Sequence, residues 1–373
     1  MSQENSFIRL PPAHLYRTHV WRITVAVANH PRSAEKAGSK ATIHEVAKRA
    51  KVSITTVSRA INSPSLVDPQ TARRIWKAID ELSYYPDVHA RSLVSGKSNI
   101  LGLIVSDITN PFFPELVKGF EDAVVKHGYE VLVSSTNYDP ARMALSVRRM
   151  LERQVEGVAV MTSEMEEHLV DQLVSRRVPT VFLDVGTPGE GISNIVVDYA
   201  HGIDEAVQHL FDIGHRKIGF ISGPETLASA RTRGTAFLRS IAIHGLAQKD
   251  EWVRQGDHKV AGGVAAMNEL LALADHPTAV MASNDLTAIG MMSAIRKAGL
   301  SVPKDISVVG FDDIWLAAYT EPPLTTVRFP RDQVAEQACR ALMSELAIPP
   351  DEGKLSEYRV ETHLVVRDST AAV

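Results

Sequence analysis

Polar and aromatic residues stand at the ends of apolar runs, where they could hold a small molecule by charge-assisted hydrogen bonds. Asp184 closes VFLD, Asn284 and Asp285 close AVMASND, and Asp312 and Asp313 close VVGFDD. Arg231 and Arg233 follow FISGPE, and Phe112 and Phe113 follow ILGLIVSD. Carboxylates and a guanidinium bind hydroxyl groups, while a phenyl ring offers an apolar face. The same Asp and Asn residues could instead cap the helices that follow them, their commonest use at such positions. The residues alone leave both readings open.

No arrangement for bond-making chemistry accompanies them. G-x-S-x-G, H-E-x-x-H and a glycine-rich dinucleotide fingerprint are absent. Gly96-Lys97-Ser98 has the form of a phosphate-loop ending, but that loop needs glycine where Arg91 stands, and the tripeptide precedes a strand. The 14 histidines show no paired metal spacing on one helix face. The single cysteine, Cys339, excludes a disulfide framework and a Cys-based zinc site, and fits a reducing cytoplasm. The expectation is a protein that binds without catalysing, with no cofactor and no metal.

The elements that must position these residues are legible in the hydropathy pattern. ILGLIVSD, EVLVSST, GVAVMTS, PTVFLDV, NIVVD, KIGFISG, AVMASND and ISVVGFDD read as buried strands separated by helical stretches. Alternating apolar strands and helices predict an α/β body of doubly wound parallel sheets that binds ligands at the strands' carboxyl ends. About 275 residues are generous for one such sheet, so two lobes with a cleft between them are expected.

A different rhythm precedes the body. Thr42-Ile43-His44-Glu45 is a T-x-x-E capping box, and Ile43, Val46, Ala47 and Ala50 then recur at helical spacing. Lys51-Val52 makes a short turn, and Ser53 caps a second helix running to about Asn62, with Val57 and Ile61 inward and Ile54, Thr55, Ser58 and Arg59 on other faces. Asp68 and Pro69 open a third helix, whose Ile75, Ala78, Ile79 and Leu82 face the core. Three short helices with a tight first turn form either a helix-turn-helix DNA-binding unit or a small bundle of other purpose.

Charge separates the parts. Residues 39–98 carry ten Lys/Arg against five Asp/Glu, whereas residues 99–373 carry 25 against 37. A basic head on an acidic body suggests a polyanionic partner for the head alone. Residues 1–40 show no convincing period and read as a disordered arm or as sequence upstream of the true start. They lack the features of a secretion signal, and no run of about 18 apolar residues could span a membrane.

TIHEVAKRAKVSITTVSRAIN, followed by VDPQTARRIWKAIDELSYYPDVHARSL, resembles the lactose-repressor (LacI/GalR) family of bacterial regulators. The resemblance continues through GLIVSDITNPFFPELVKGFE, GHRKIGFISGP, SNDLTAIGMM, GFDDIWLAAYTEPPLTTV and HLVVRDST. It implies that the second helix enters the DNA major groove, where Ile54, Thr55 and Arg59 reach base edges. Thr42, Ser53, Thr56, Ser58 and Asn62 then serve the same DNA interface, with Thr56 and Ser58 suited to phosphates. Asp87–Val94 resembles the family's hinge helix, with Leu93 as a minor-groove wedge and Ala90 at the close helix contact.

In the body, Phe112, Phe113, Asp184, Ser229, Arg233, Asn284 and Asp312 fall where family members contact their effector, and the charged set is similar to that of sugar-binding members. Members that bind purines carry an arginine where this chain has Leu227. The chain stops after HLVVRDST without the leucine heptads of tetrameric members, so a homodimer on a pseudo-palindromic operator is expected.

These readings imply a headpiece at 41–86, a hinge and linker at 87–99, an N-terminal lobe at 100–199 plus 328–348, and a C-terminal lobe at 200–327 plus 349–373. The expected function is a cytoplasmic transcription regulator, a repressor of double-stranded operator DNA under small-molecule control. A periplasmic solute-binding protein would need a signal peptide and no headpiece. A doubly wound enzyme would need a catalytic constellation.

Overall fold

The computed structural model describes residues 41–85, 97–162, 165, 167–184, 189–347 and 356–373. The chain divides into one unit ending at residue 87 and a second beginning at residue 88.

The first unit holds α1 (Ile43–Ala50), α2 (Ile54–Asn62) and α3 (Pro69–Leu82). Each start is fixed by its cap. The Thr42 hydroxyl accepts from Glu45 N while Glu45 accepts from Thr42 N at 2.7 Å; Ser53 accepts from Thr56 N, and Asp68 from Thr71 N. Each such cap is worth about 1 kcal/mol. Lys51, with φ of 55°, turns the chain between α1 and α2. Val46, Ala47, Ala50, Val57, Ala60, Ile75, Ala78 and Ile79 form the buried core, with Ile61 and Leu82 packed partly against it. That core holds α2 against its neighbours and leaves its opposite face in solvent.

The second unit contains two six-stranded sheets. The first is built from β1 (Ile100–Val105), α4 (Phe112–Val125), β2 (Glu130–Ser135), α5 (Pro140–Glu152), β3 (Gly157–Met161), α6 (Glu167–Ser175), β4 (Thr180–Leu183) and β5 (Ile192–Asp198). The second comprises α7 (Tyr199–Asp212), β6 (Ile218–Ser222), α8 (Ala228–Ile243), β7 (Val253–Gln255), α9 (Val260–Leu271), β8 (Ala279–Ala282), α10 (Asp285–Lys297), β9 (Ser307–Asp312) and β10 (Thr325–Arg328). The chain then returns through α11 (Arg331–Leu346) and ends in β11 (Ser356–Glu361) and β12 (His363–Val365).

Strand orders are β11-β5-β4-β3-β1-β2 and β12-β10-β9-β8-β6-β7, with all pairs parallel except β10 with β12. Both sheets repeat one winding, and each reverses direction beside its first strand, the place where such sheets open a ligand crevice.

Side-chain alternation sorts the helices onto both faces. Leu101, Leu103 and Val105 of β1 pack with α4 and α11, whereas Ile104 faces Met143, Val147 and Met150 of α5 and Leu169 of α6. In the second sheet Phe220 and Met281 meet Ile203 of α7 and Phe237 of α8, while Ile221 and Val280 meet Met267 of α9 and Met291 of α10.

One expected boundary needs correction. Residues 349–373 do not belong wholly to the C-terminal lobe: β11 runs parallel to β5 in the first sheet, from Ser356 beside Ser193 to Glu361 beside Asp198. The second sheet begins only at His363. A short, half-polar edge strand such as SEYRVE carries no pattern that selects between two sheets. Where the chain crosses, Thr362 donates to Asp198 O at 2.8 Å and accepts from Gly202 N at 3.1 Å. Gly202 admits this approach because a Cβ there would stand 2.7 Å from the Thr362 hydroxyl and 2.4 Å from Val327.

Candidate functional site

The exposed face of α2 is the first candidate site. Ser53, Ile54, Thr55, Arg59 and Asn62 are exposed, Thr56 and Ser58 are half-buried, and Thr42 is exposed at the start of α1. Ile54 leaves 39% of its surface in water although it is a large apolar side chain. Two local bonds order the face: Ser53 Oγ to Thr56 Oγ1 at 2.8 Å and Asn62 Nδ2 to Ser58 Oγ at 3.2 Å. A helix that offers one cation, one methyl-bearing pair and a row of hydroxyls has the chemistry for guanine, thymine and phosphate together. Ala90 and Leu93, expected in the hinge, lie outside the described residues.

The second site is a cleft in the body, lined from the carboxyl ends of strands in both sheets. All seven expected effector residues, Phe112, Phe113, Asp184, Ser229, Arg233, Asn284 and Asp312, line it. From the first sheet come Asp184 after β4 and the two phenylalanines that open α4. From the second come Ser229 and Arg233 in the first turns of α8, Asn284 after β8 and Asp312 at the end of β9.

Arg233 and Asp312 are both buried, with Nη1 and Oδ1 3.6 Å apart. The guanidinium donates to Ser283 O at 2.6 Å and lies 4.0 Å over the Phe311 ring. Its Nε is buried with no hydrogen-bond partner among the described residues. Burial pushes the Asp312 carboxyl up to about 6, against the pull of Arg233 and Arg331. Burial also raises Asp184, although Tyr199 donates to it at 2.6 Å and Val197 N at 2.8 Å. Asp184 and Asp312 hold φ of 62° and 113°, backbone positions that cost of order 1–3 kcal/mol each for residues with a side chain.

Asn284 shows the capping use in full. Its Oδ1 accepts from Thr287 N at 2.9 Å to cap α10, and its Nδ2 donates to His258 O at 3.0 Å, leaving one amide hydrogen for anything else. Three of the candidate residues, Asp285, Asp313 and Arg231, stay outside the cleft lining. Asp285 is sealed beneath it, accepting from Ile314 N at 2.8 Å and from the Thr326 hydroxyl, and burial together with the Asp312 charge raises its carboxyl well above the usual range. Asp313 pairs with Arg367 at 2.6 Å and Arg328 at 2.7 Å. Arg231 turns away to bond Glu225 O.

The sequence reading did not anticipate Ser106, Asn110, Tyr199, His258 and Phe329 in the lining. Tyr199 follows NIVVD and was open to the same strand-end logic. His258 and Phe329 follow β7 and β10, strands of three and four residues with too little pattern to register. His258 Nε2 meets Ser283 Oγ at 2.9 Å, and burial beside Arg233 pushes the imidazole down to about 3, so it is neutral.

A groove-sized helix face on a small three-helix head, followed by a two-lobed body with a charged cleft, defines a ligand-controlled DNA-binding regulator. Residues 42–87 match the bacterial regulatory proteins of the lacI family, and residues 207–370 match the periplasmic binding protein-like domain. The chain is 34% identical over 322 residues to the HTH-type transcriptional repressor PurR of Aliivibrio salmonicida, covering 86% of this chain and 97% of that protein. The Lac repressor dimer bound to operator and the anti-inducer ONPF aligns over 90% of this chain and 100% of its own, with 27% identity and a TM-score of 0.79. The CelR–cellobiose complex aligns over 88% and 99%, with 30% identity and a TM-score of 0.65. The chain belongs to the lacI family of bacterial regulatory proteins and is a DNA-binding transcription regulator with a small-molecule effector domain. Among the described residues, no helix is long and apolar enough to cross a membrane.

Proposed function

We propose that the chain is a cytoplasmic, homodimeric repressor of a pseudo-palindromic operator, released or tightened by a sugar or sugar derivative held by Phe112, Phe113, Asp184, Ser229, Arg233, Asn284 and Asp312. The observation that carries the effector class is the buried Arg233–Asp312 pair beside Phe112 and Phe113. A sugar presents vicinal hydroxyls on its edge and C–H groups on its faces. A hydroxyl can accept from the guanidinium and donate to the carboxylate at once, while a phenyl ring covers the C–H face. The CelR–cellobiose complex and a ribose-bound lacI-family regulator from Enterococcus faecium support this reading from two relatives of like fold.

A purine is the second reading, since the family this chain belongs to includes purine-binding members. Leu227, buried in the cleft lining, counts against it, because an aliphatic side chain offers a base edge neither donor nor acceptor. Thermal shift and calorimetry with a panel of mono- and disaccharides, sugar phosphates and purines test the two readings. Saturable binding of a sugar supports the first. Binding of purines alone replaces it with the second.

Regulation follows from linkage: an effector that prefers one lobe arrangement changes operator affinity by the factor with which operator changes effector affinity. The three crossings between the sheets, after Asp198, Arg328 and Glu361, are the segments about which such a rearrangement would turn.

A further inference from the structure

Three metal-binding side chains meet at the start of α7 and β12, with no residue shared with the cleft. His201 and Glu205 stand one helical turn apart on α7, and His363 opens β12. Their donor atoms all lie within 4.8 Å of one another. His201 Nε2 is 3.4 Å from Glu205 Oε1, and His363 Nδ1 is 3.9 Å from the same oxygen. The imidazoles stand edge to face, with centroids 5.0 Å apart and planes at 84°. Ligands held at 2.0–2.1 Å around a tetrahedral ion lie about 3.3 Å from each other. The first pair already has that spacing, and modest side-chain rotation brings in the third.

The surroundings fix the donors. The second oxygen of Glu205 accepts from Leu364 N at 2.7 Å, which turns Oε1 toward the two rings. Asp198 accepts from His201 N at 3.1 Å, and Thr362, next to His363, bonds both Asp198 O and Gly202 N. Arg328, the cross-strand neighbour of His363, has its guanidinium on Asp313 at 2.7 Å, so that charge is held by a carboxylate. An ordinary His–Glu surface pair would explain two of these residues but not the third, delivered from a distant strand with its ring aimed at the same oxygen.

We propose that His201, Glu205 and His363 bind a divalent transition-metal ion of the zinc class, with water completing the coordination because all three side chains reach solvent. Imidazole nitrogens with one carboxylate suit zinc, cobalt and nickel and disfavour calcium and magnesium, which take oxygen ligands. The bound ion ties together two segments that directly follow crossings between the sheets. It therefore stiffens the region about which the lobes turn.

The full-length protein, stripped with a chelator and dialysed, is titrated with Co²⁺ by visible absorption and with Zn²⁺ by calorimetry. One ion per chain is expected, with a dissociation constant on the order of 1–10 μM, zinc displacing cobalt and raising the melting temperature. His363→Ala and Glu205→Gln should each weaken binding at least roughly tenfold while metal-free melting stays as in the wild type. His201→Gln gives an independent reading if either variant melts early. Absence of saturable binding below about 1 mM overturns the proposal, as does binding of equal strength in the wild type and all three variants, which would put the ion on other histidines.

Discussion

Arg233 and Asp312 face each other across 3.6 Å, a buried pair of opposite charges too far apart for a good direct hydrogen bond. Phe311 and Tyr199 cover the guanidinium at 4.0 and 5.1 Å, and its Nη1 is anchored on Ser283 O. The arrangement holds two strong hydrogen-bonding groups in place without fully satisfying either. Arg233→Ala and Asp312→Ala should each cost roughly 2–4 kcal/mol of effector affinity while operator binding persists. Calorimetry and operator titration on the same preparations check both halves. Unchanged effector affinity in both variants would return the pair to a structural role.

The same carboxylate sets a pH dependence. In the folded chain Asp312 titrates near 6, above its ordinary 3.8, because burial disfavours the charge. Between these values the folded state holds a proton that the unfolded state has lost, so the contribution of this group to stability declines as pH rises through that window. Effector binding runs the other way. A ligand that donates to the ionised carboxylate must displace that proton, so affinity should fall as pH drops below about 6, approaching tenfold per unit. Calorimetry from pH 7.5 to 5 should show the fall in the wild type and a shallower one in Asp312→Asn, whose remaining cleft carboxylate, Asp184, is also raised by burial.

On the headpiece, Arg59 is the one cation on the exposed face of α2. Arg59→Ala should weaken operator binding by about 1–3 kcal/mol and relax the base preference at one position in each half-site. A uniform loss across all sequences would make Arg59 a phosphate contact instead. Val57 and Ala60 carry the core side of this helix, so the variant should melt like the wild type.

Gly202 tests the crossing. A methyl group there would meet Thr362 and Val327 well inside contact distance. Gly202→Ala should destabilise the body by about 1–3 kcal/mol, read by denaturant unfolding. An unchanged midpoint would show that the crossing segments are looser than their hydrogen bonds imply.

The sequence carried most of this architecture for physical reasons visible in particular residues. Buried parallel strands such as ILGLIV and SVVGFD are apolar on both faces, and the caps Thr42, Ser53 and Asp68 advertise their helices. What escaped were the short strands β7, β10, β11 and β12, which are brief or half-polar. The cleft residues that follow β7 and β10, His258 and Phe329, escaped with them. Strand-end position identified Asp184 and Asp312 but could not tell them from Asp285 and Asp313. The difference lies in which way each carboxylate turns, and not in the backbone alone, since Asp313 shares the positive φ of Asp184 and Asp312; neither feature leaves a mark in hydropathy. The His201, Glu205 and His363 cluster was equally hidden, because one helix supplies two members and a remote strand the third.

The most direct test of the account is operator affinity measured with and without ligand. Operator is first selected from random duplexes with the full-length protein, and binding is then followed by fluorescence anisotropy across a panel of sugars, sugar phosphates and purines. The account predicts an enriched pseudo-palindrome and at least one sugar that changes its affinity tenfold or more, about 1.4 kcal/mol, in the wild type but not in Arg233→Ala. Selection of no preferred sequence, or an equal ligand response in Arg233→Ala, would contradict it.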